Sequence, residues 1–595
     1  MKDILENCIN NPSTNLERFV GDFYKSAMNT ERVNEHGLEP IVPLLQRVKQ
    51  TNTKGDLSRC VGILRRSGVD SFFASYSTAD KKKSSTYALY LEQGGLSLPD
   101  KECYLSESFS KIRESYENHL VRMFTLSGEG DESNTKKLAK EVMKIETELA
   151  KASRSRADLR DEEKNYNKVL SSTLREKFPS INFPTILSIL EVPSVDYIVI
   201  GQPEFFLALD RIIRESSLQG LQAYLSWRVV HAFAPYLDSK MEHEDFDFFH
   251  RILLGQYEPE VRWKLATKAI DELVGEALGK LYVDRQFPPE SKRRVSSLID
   301  DIRSVFKARL ARLPWMTEET RKQAIAKFER FTVKIGHPDR FREYGSINID
   351  PDDYAGNVKR AMEFEVRRQT TRVGAPVDKG EWLMTHPTVN AYFTPTENQI
   401  VFPAGILQPP YFDVTLDDAV NYGAIGAVIA HEITHGYDDQ GRRFDAEGNL
   451  RDWWAVDDAK EFKTRARAVV ELYSAQSPLP GIHVNGELTL GENIADFGGV
   501  SLAYEALERR LAEEPSKRQI LDGLSPEERF FIAWAQIWRE NIREEEMRRR
   551  LTIDPHSPMK YRATLPVINH PSFEQAFPLD AKSSKDAIRP KVTIW

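Results

Sequence analysis

The residues with the clearest chemical content are His431, Glu432 and His435. They sit in the stretch from Asn421 to Asp439, Asn-Tyr-Gly-Ala-Ile-Gly-Ala-Val-Ile-Ala-His-Glu-Ile-Thr-His-Gly-Tyr-Asp-Asp. Four residues make about one turn of an α-helix, so the two imidazoles share a face. That spacing suits two ligands to one zinc ion, with Glu432 beside them to take a proton from water. Ile425, Val428, Ile429 and Ile433, with the small Gly426, Ala427 and Ala430, describe a buried and closely packed helix. Three polar side chains in such a helix need a reason to be there.

A mononuclear site of this type wants three protein ligands and one open position. The metzincin spacing would put a histidine at Gly441, and the one-zinc aminopeptidase spacing would put a glutamate at Trp454, so both fail. The best candidate segment is Gly491 to Gly499, Gly-Glu-Asn-Ile-Ala-Asp-Phe-Gly-Gly. Glu492 and Asp496 are one turn apart, so both face one way on a second helix. One can bind the metal while the other holds an imidazole N–H. Taken alone, the same stretch is also an ordinary helix start after the Asn485-Gly486 turn.

Three more segments accompany these two: Val389-Asn390-Ala391-Tyr392, Asn398 to Pro410, and Asp554-Pro555-His556-Ser557-Pro558 followed by Arg562. Together they resemble the neprilysin family of zinc metalloendopeptidases. The likeness runs from about Phe23 to the C-terminus and is closest from Val389 onward. It implies one Zn2+ per chain, held by His431, His435 and Glu492, with Glu432 as the catalytic base and Asp496 beside the ligands. It implies that Asn390 and Ala391 hold the substrate backbone, that His556 donates to the oxyanion, and that Arg562 binds the carbonyl after the scissile bond. Ile406, Tyr411, Ala427, Val428, Ile537 and Trp538 would line the pocket after the cleaved bond. Their apolar character predicts cleavage of oligopeptides on the amino side of large hydrophobic residues. Without the resemblance, Asn390 is a turn asparagine, His556 a surface histidine and Arg562 half of a surface ion pair. Asp438 and Asp439 read equally as an orienting partner for His435 or as a plain polar pair at the helix end. A non-catalytic binding protein on the same fold is the alternative, and the full set of catalytic residue types favours the enzyme.

The family's full-length members carry a further N-terminal stretch with an arginine that grips a free substrate C-terminus. This sequence matches only after that stretch, which leaves C-terminal dipeptide release and a membrane anchor open. The family's cysteine-containing ending is replaced by Lys591-Val592-Thr593-Ile594-Trp595.

The elements that must position these residues are mostly helical. Leu16, Phe19, Val20, Phe23 and Ala27 mark one amphipathic helix, capped by Ser13 or Thr14. Leu138 to Leu149, Val261 to Val283 and Val295 to Leu310 carry the same period, and another helix begins near Pro526. Strand patterns are scarce before residue 330, and Lys81-Lys82-Lys83 reads as a polar loop. Phe331 to Gly336, Val389 to Phe393 and Gln399 to Phe402 read as strands, which would place Asn390 and Ala391 in an edge strand open to a peptide. The expected architecture is α+β and mostly helical. A large helical cap domain (1–330) and a thermolysin-like catalytic domain (331–595) would enclose the active-site chamber between them. Glu544-Glu545-Glu546 before Arg548-Arg549-Arg550 reads as a solvated helix face of paired charges.

Composition bounds the rest. The chain has 595 residues, 41% hydrophobic and 29% charged, enough for at least two soluble globular domains. A net charge of -8 gives no sign of nucleic-acid binding. No apolar run reaches the ~18 residues that a transmembrane helix needs. Met1 to Glu17 lacks the apolar core of a signal peptide. Cys8, Cys60 and Cys103 form no disulfide framework, and no glycosylation sequon is present. These features favour a cytoplasmic, reducing compartment over a secreted one.

Overall fold

The structure is a computed structural model that describes residues 1–578 and 592–595, so Lys591 of the C-terminal ending lies outside it. The helical periods of the sequence appear as α1 (Asn15–Met28), α2 (Glu132–Ala152) and, after α3 (Leu218–Phe233), which no expected period covered, α4 (Arg262–Gln286). Thr14 caps α1: its hydroxyl accepts from the Glu17 amide while the Glu17 carboxylate reaches back to the cap. These helices bury Val20, Phe23, Val142, Leu149, Trp227 and Ile270 in a first core, which extends through Leu281.

The first half also contains a four-stranded sheet, contrary to the expectation of few strands there. Its strands are β1 (Phe73–Asp80), β2 (Lys83–Gln93), β3 (Asn167–Leu170) and β4 (Tyr197–Ile200), in the order β1-β2-β4-β3. β1 and β2 form an antiparallel hairpin, and β4 joins β2 in parallel. The strands are short or rich in Ser, Thr and Ala, so their alternation is weak; packing against the helices stabilises them instead. The polar Lys81-Lys82 segment is the tip of the hairpin, and its Lys81 carbonyl accepts the Leu450 amide from the second half.

A second core is built around α5 (Pro289–Leu310), α6 (Glu318–Glu329), a three-stranded sheet and the motif helices. The sheet comprises β5 (Thr332–Gly336), β6 (Tyr392–Thr394) and β7 (Gln399–Pro403), ordered β5-β7-β6, which leaves β6 at the edge. Asn390 and Ala391 stop short of this edge strand rather than lying in it; β7 ends at Pro403, which has no N–H to extend the ladder. Helix α7 (Tyr354–Thr371) returns to the first core through Tyr354, Val358 and Ala361. Buried residues up to Leu281 pack in the first core and those from Val283 to Phe331 in the second, because the apolar face of α5 meets the second core.

Helix α8 (Ala427–His435) follows directly on a π-helical turn, Tyr422–Gly426. It ends at His435, short of the expected Asp439, and Gly436 to Asp439 turn away. Helix α9 (Leu490–Glu513) packs closely along it, with Glu492 in its first turn. Helices α10 (Pro526–Ile537) and α11 (Met559–Asn569) complete the second core. The Glu544–Ile553 helix buries nothing, and its Glu and Arg side chains pair along one solvated face.

The two cores meet across a small apolar cluster. Ala88, Tyr90 and Val199 of the four-stranded sheet, with Tyr166 just before β3, cover Phe444 and Leu450. Beside it, Arg160 makes a two-pronged pair with Asp439 at 3.0 and 2.9 Å, and Arg443 reaches Asp161 at 2.9 Å.

Candidate metal centre

Helix α8 presents His431 and His435 on one face, and α9 presents Glu492 opposite them. The two Nε2 atoms lie 3.0 Å apart. They stand 3.2 and 3.5 Å from Oε2 of Glu492. His431 Nδ1 meets Asp496 Oδ1 at 2.9 Å, and His435 Nδ1 meets Asp438 Oδ2 at 2.7 Å. A carboxylate only accepts, so each Nδ1 carries a proton, and a metal entering the cluster would displace the second proton and take the lone pair of each Nε2. Two imidazole nitrogens and a carboxylate oxygen thus converge within 4.8 Å of one another. Oε2 of Glu492 is buried and lacks a hydrogen bond of good geometry, although His556 Nε2 also stands 3.1 Å away. This donor set fits a zinc ion, with two nitrogens and one oxygen leaving a fourth position open.

Electrostatics point the same way. Burial lowers the proton affinity of both imidazoles, yet Glu492 and the orienting aspartates outweigh it and hold both above the usual histidine range. The cluster attracts positive charge. Burial also pushes the neighbouring Glu432 carboxyl up, against the opposing pull of the two histidines. For His556, burial is outweighed by Glu492 and Asp554, which raise it to about 9. Its Nδ1 lies 2.9 Å from Asp554, which fixes the ring.

These groups line one cleft of about 560 Å3. Asn390, Ala391, Ile406, Tyr411, Val428, Trp538, His556 and Arg562 all border it. Arg562 is buried, donating to Asp496 at 2.9 and 2.8 Å while its guanidinium stacks on Trp538 at 3.9 Å. Ile537 and Ala427 are buried behind the wall rather than on it, and the Ile537 carbonyl lies 3.5 Å from the Tyr411 hydroxyl. Trp534, Phe393 and Met559 also border the cleft, beyond the site residues that the sequence suggests. Trp534 was within reach, since it lies one helical turn before Trp538 and their rings touch. Glu162 enters the lining from the first half of the chain, and no local pattern marks it.

The sequence pattern described as Peptidase family M13 matches residues 1–338 and again residues 390–591. The chain belongs to peptidase family M13. This M13 chain is 33% identical to an endothelin-converting enzyme homolog of Locusta migratoria, over all of its own length and 85% of that protein. It superposes on the Mycobacterium tuberculosis zinc metalloprotease Zmp1 in complex with an inhibitor with a TM-score of 0.95 at 36% identity, covering all of this chain and 91% of that one. Against the open state of Zmp1 the TM-score is 0.75, with 100% and 93% covered at the same 36% identity. The M13 chain is a zinc metallopeptidase with a mostly helical α+β fold. Among its described residues no helix is long and apolar enough to cross a membrane, and all three cysteines are free and buried.

Proposed function

We propose that this metallopeptidase is an endopeptidase for oligopeptides that cuts on the amino side of large hydrophobic residues. It uses one zinc per chain, held by His431, His435 and Glu492. The observation that carries this is the convergence of the three ligand atoms on a cleft whose other wall is apolar. Zinc, when bound, supplies a Lewis acid that polarises the scissile carbonyl and acidifies water. Glu432 takes the proton and passes it to the leaving amine. His556, held by Asp554, donates Nε2–H to the developing oxyanion. Asp496 keeps His431 in the tautomer that points Nε2 at the metal and anchors Arg562, which holds the carbonyl after the scissile bond. Asn390 and Ala391 hold the substrate backbone beside the edge strand. Ile406, Tyr411, Val428 and Trp538 receive the large side chain. The part of the chain around the first core acts as a cap, so unfolded peptides enter and folded proteins do not. Three free, buried thiols suit a reducing, cytoplasmic setting.

The test is Glu432→Gln. It should retain one zinc per chain and lose at least about a hundredfold in hydrolysis of a quenched peptide. Wild-type-like turnover in this variant removes Glu432 from the role of base. In a peptide library read by mass spectrometry, cuts should fall before Phe, Leu and similar residues. Cuts clustered before Asp, Glu or Lys would overturn the pocket assignment.

A further inference from the structure

Lys327 on α6 is fully buried, which is unusual for a lysine, and lies outside the cleft. Its ammonium donates to three main-chain carbonyls, those of Gly436, Gly441 and Phe444, at 2.7, 2.7 and 2.8 Å. Three donors meet three acceptors, so the group is fully satisfied. All three carbonyls belong to the segment that follows the second zinc-motif histidine. The same helix accepts the Tyr437 hydroxyl at its Ala324 carbonyl, 2.7 Å away. The Lys327 ammonium also lies 5.9 Å from the Phe393 ring on the edge strand and 5.4 Å from the Tyr437 ring.

This arrangement closes residues 436–444 around one cation. Inside that closed segment, Asp438 is held on both oxygens. Oδ1 accepts from the Gln440 and Gly441 amides at 2.8 and 2.6 Å, and Oδ2 faces His435 Nδ1. The Gly441 amide that fixes Asp438 and the Gly441 carbonyl that binds Lys327 belong to the same residue. Burial pushes the Lys327 ammonium down to about 7, while Asp438 and Asp445 pull the other way.

We infer that Lys327 is a positioning residue for the peptidase reaction: it holds segment 436–444 in the shape that lets Asp438 aim His435 at the metal. This rests on the proposal that His435 is a ligand oriented by Asp438. Without the ammonium, the buried Gly436 carbonyl loses its partner, while the Gly441 and Phe444 carbonyls keep only the Phe444 amide and the Trp453 indole, so the turn after His435 must move to find another donor.

The experiment compares wild type with Lys327→Met, which keeps the side-chain length and removes the donors. Thr14→Ala, a lost helix cap far from the segment, controls for general destabilisation. In Lys327→Met, zinc affinity by chelator competition should fall by about tenfold or more, as when the support of a ligand is lost. At saturating zinc, kcat should fall by about tenfold with KM changed by less than about threefold, the pattern of lost positioning. In the metal-free protein, amides of residues 436–444 should exchange faster than in the control. Lys327→Gln, which keeps two donors, should fall between. A folded Lys327→Met with wild-type zinc affinity and kcat overturns the assignment. If neither Lys327 variant folds, the residue is structural only, which also overturns it. A wild type that binds no zinc or cleaves no peptide would instead overturn the proposed function, so the two failures are distinguishable.

Discussion

Asp496 serves two partners at once. It is fully buried, accepts from His431 Nδ1 at 2.9 Å and from Arg562 at 2.9 and 2.8 Å, and so joins a proposed metal ligand to a cleft cation. Asp496→Asn keeps the shape but weakens both contacts, and should cost about 10- to 100-fold in zinc affinity or activity. Asp496→Ala leaves Arg562 as an unpaired buried charge and should destabilise the fold by about 3–5 kcal/mol, read as a lower denaturation midpoint. Glu492→Ala should lose most bound zinc, measured as metal content after dialysis. Stoichiometric zinc in that variant would mean that another residue supplies the third ligand. The identities of these residues were legible in the sequence. The pairing of Asp496 with Arg562 was not, because it joins positions 66 apart across two helices.

Helices α8 and α9 set the geometry of the site by how closely they approach. A methyl group at Gly499 would lie 2.7 Å from the Ala427 carbonyl oxygen and 3.3 Å from His431 Cβ. Gly499→Ala should therefore push the helices apart and move Glu492 relative to His431, although alanine is the better helix former by about 1 kcal/mol. The expected outcome is weaker zinc binding in a chain that remains helical, measured by chelator competition and circular dichroism. Unchanged zinc affinity would show that the helices can part without moving the ligands. Periodicity announced the long helices because each buries one apolar stripe. It missed the four-stranded sheet because β1 and the start of β2 carry small and polar residues and β3 and β4 are only four residues long.

The arrangement of the two cores matches the inhibitor complex of Zmp1 at a TM-score of 0.95 and its open state at 0.75. Here the two cores are joined by the Phe444–Leu450 cluster and by Arg160 on Asp439. Arg160→Ala removes a partly buried pair across the closure without touching a ligand. It should favour a more open ensemble, seen as a larger radius of gyration in small-angle scattering, while zinc content stays the same. The proposed cap also predicts that a folded protein survives conditions that digest its unfolded chain. Efficient digestion of the folded protein would mean that the cap does not enclose the cleft.

What the sequence determined by itself was the chemistry. His431, Glu432 and His435 announce a metal site because one helical turn brings two ligands to one face, and that relation is local. Tertiary structure decided everything that joins distant segments. It brought Glu492 to within 3.2 Å of His431, aimed Asp438 at His435, put Lys327 beneath the segment that holds Asp438, and set Arg160 of the first half against Asp439. It also stopped α8 at His435, where the Gly436 carbonyl turns to the Lys327 ammonium. Spacing along a chain specifies which side chains share a turn; which turns meet depends on how whole apolar faces pack, and no short motif contains that information.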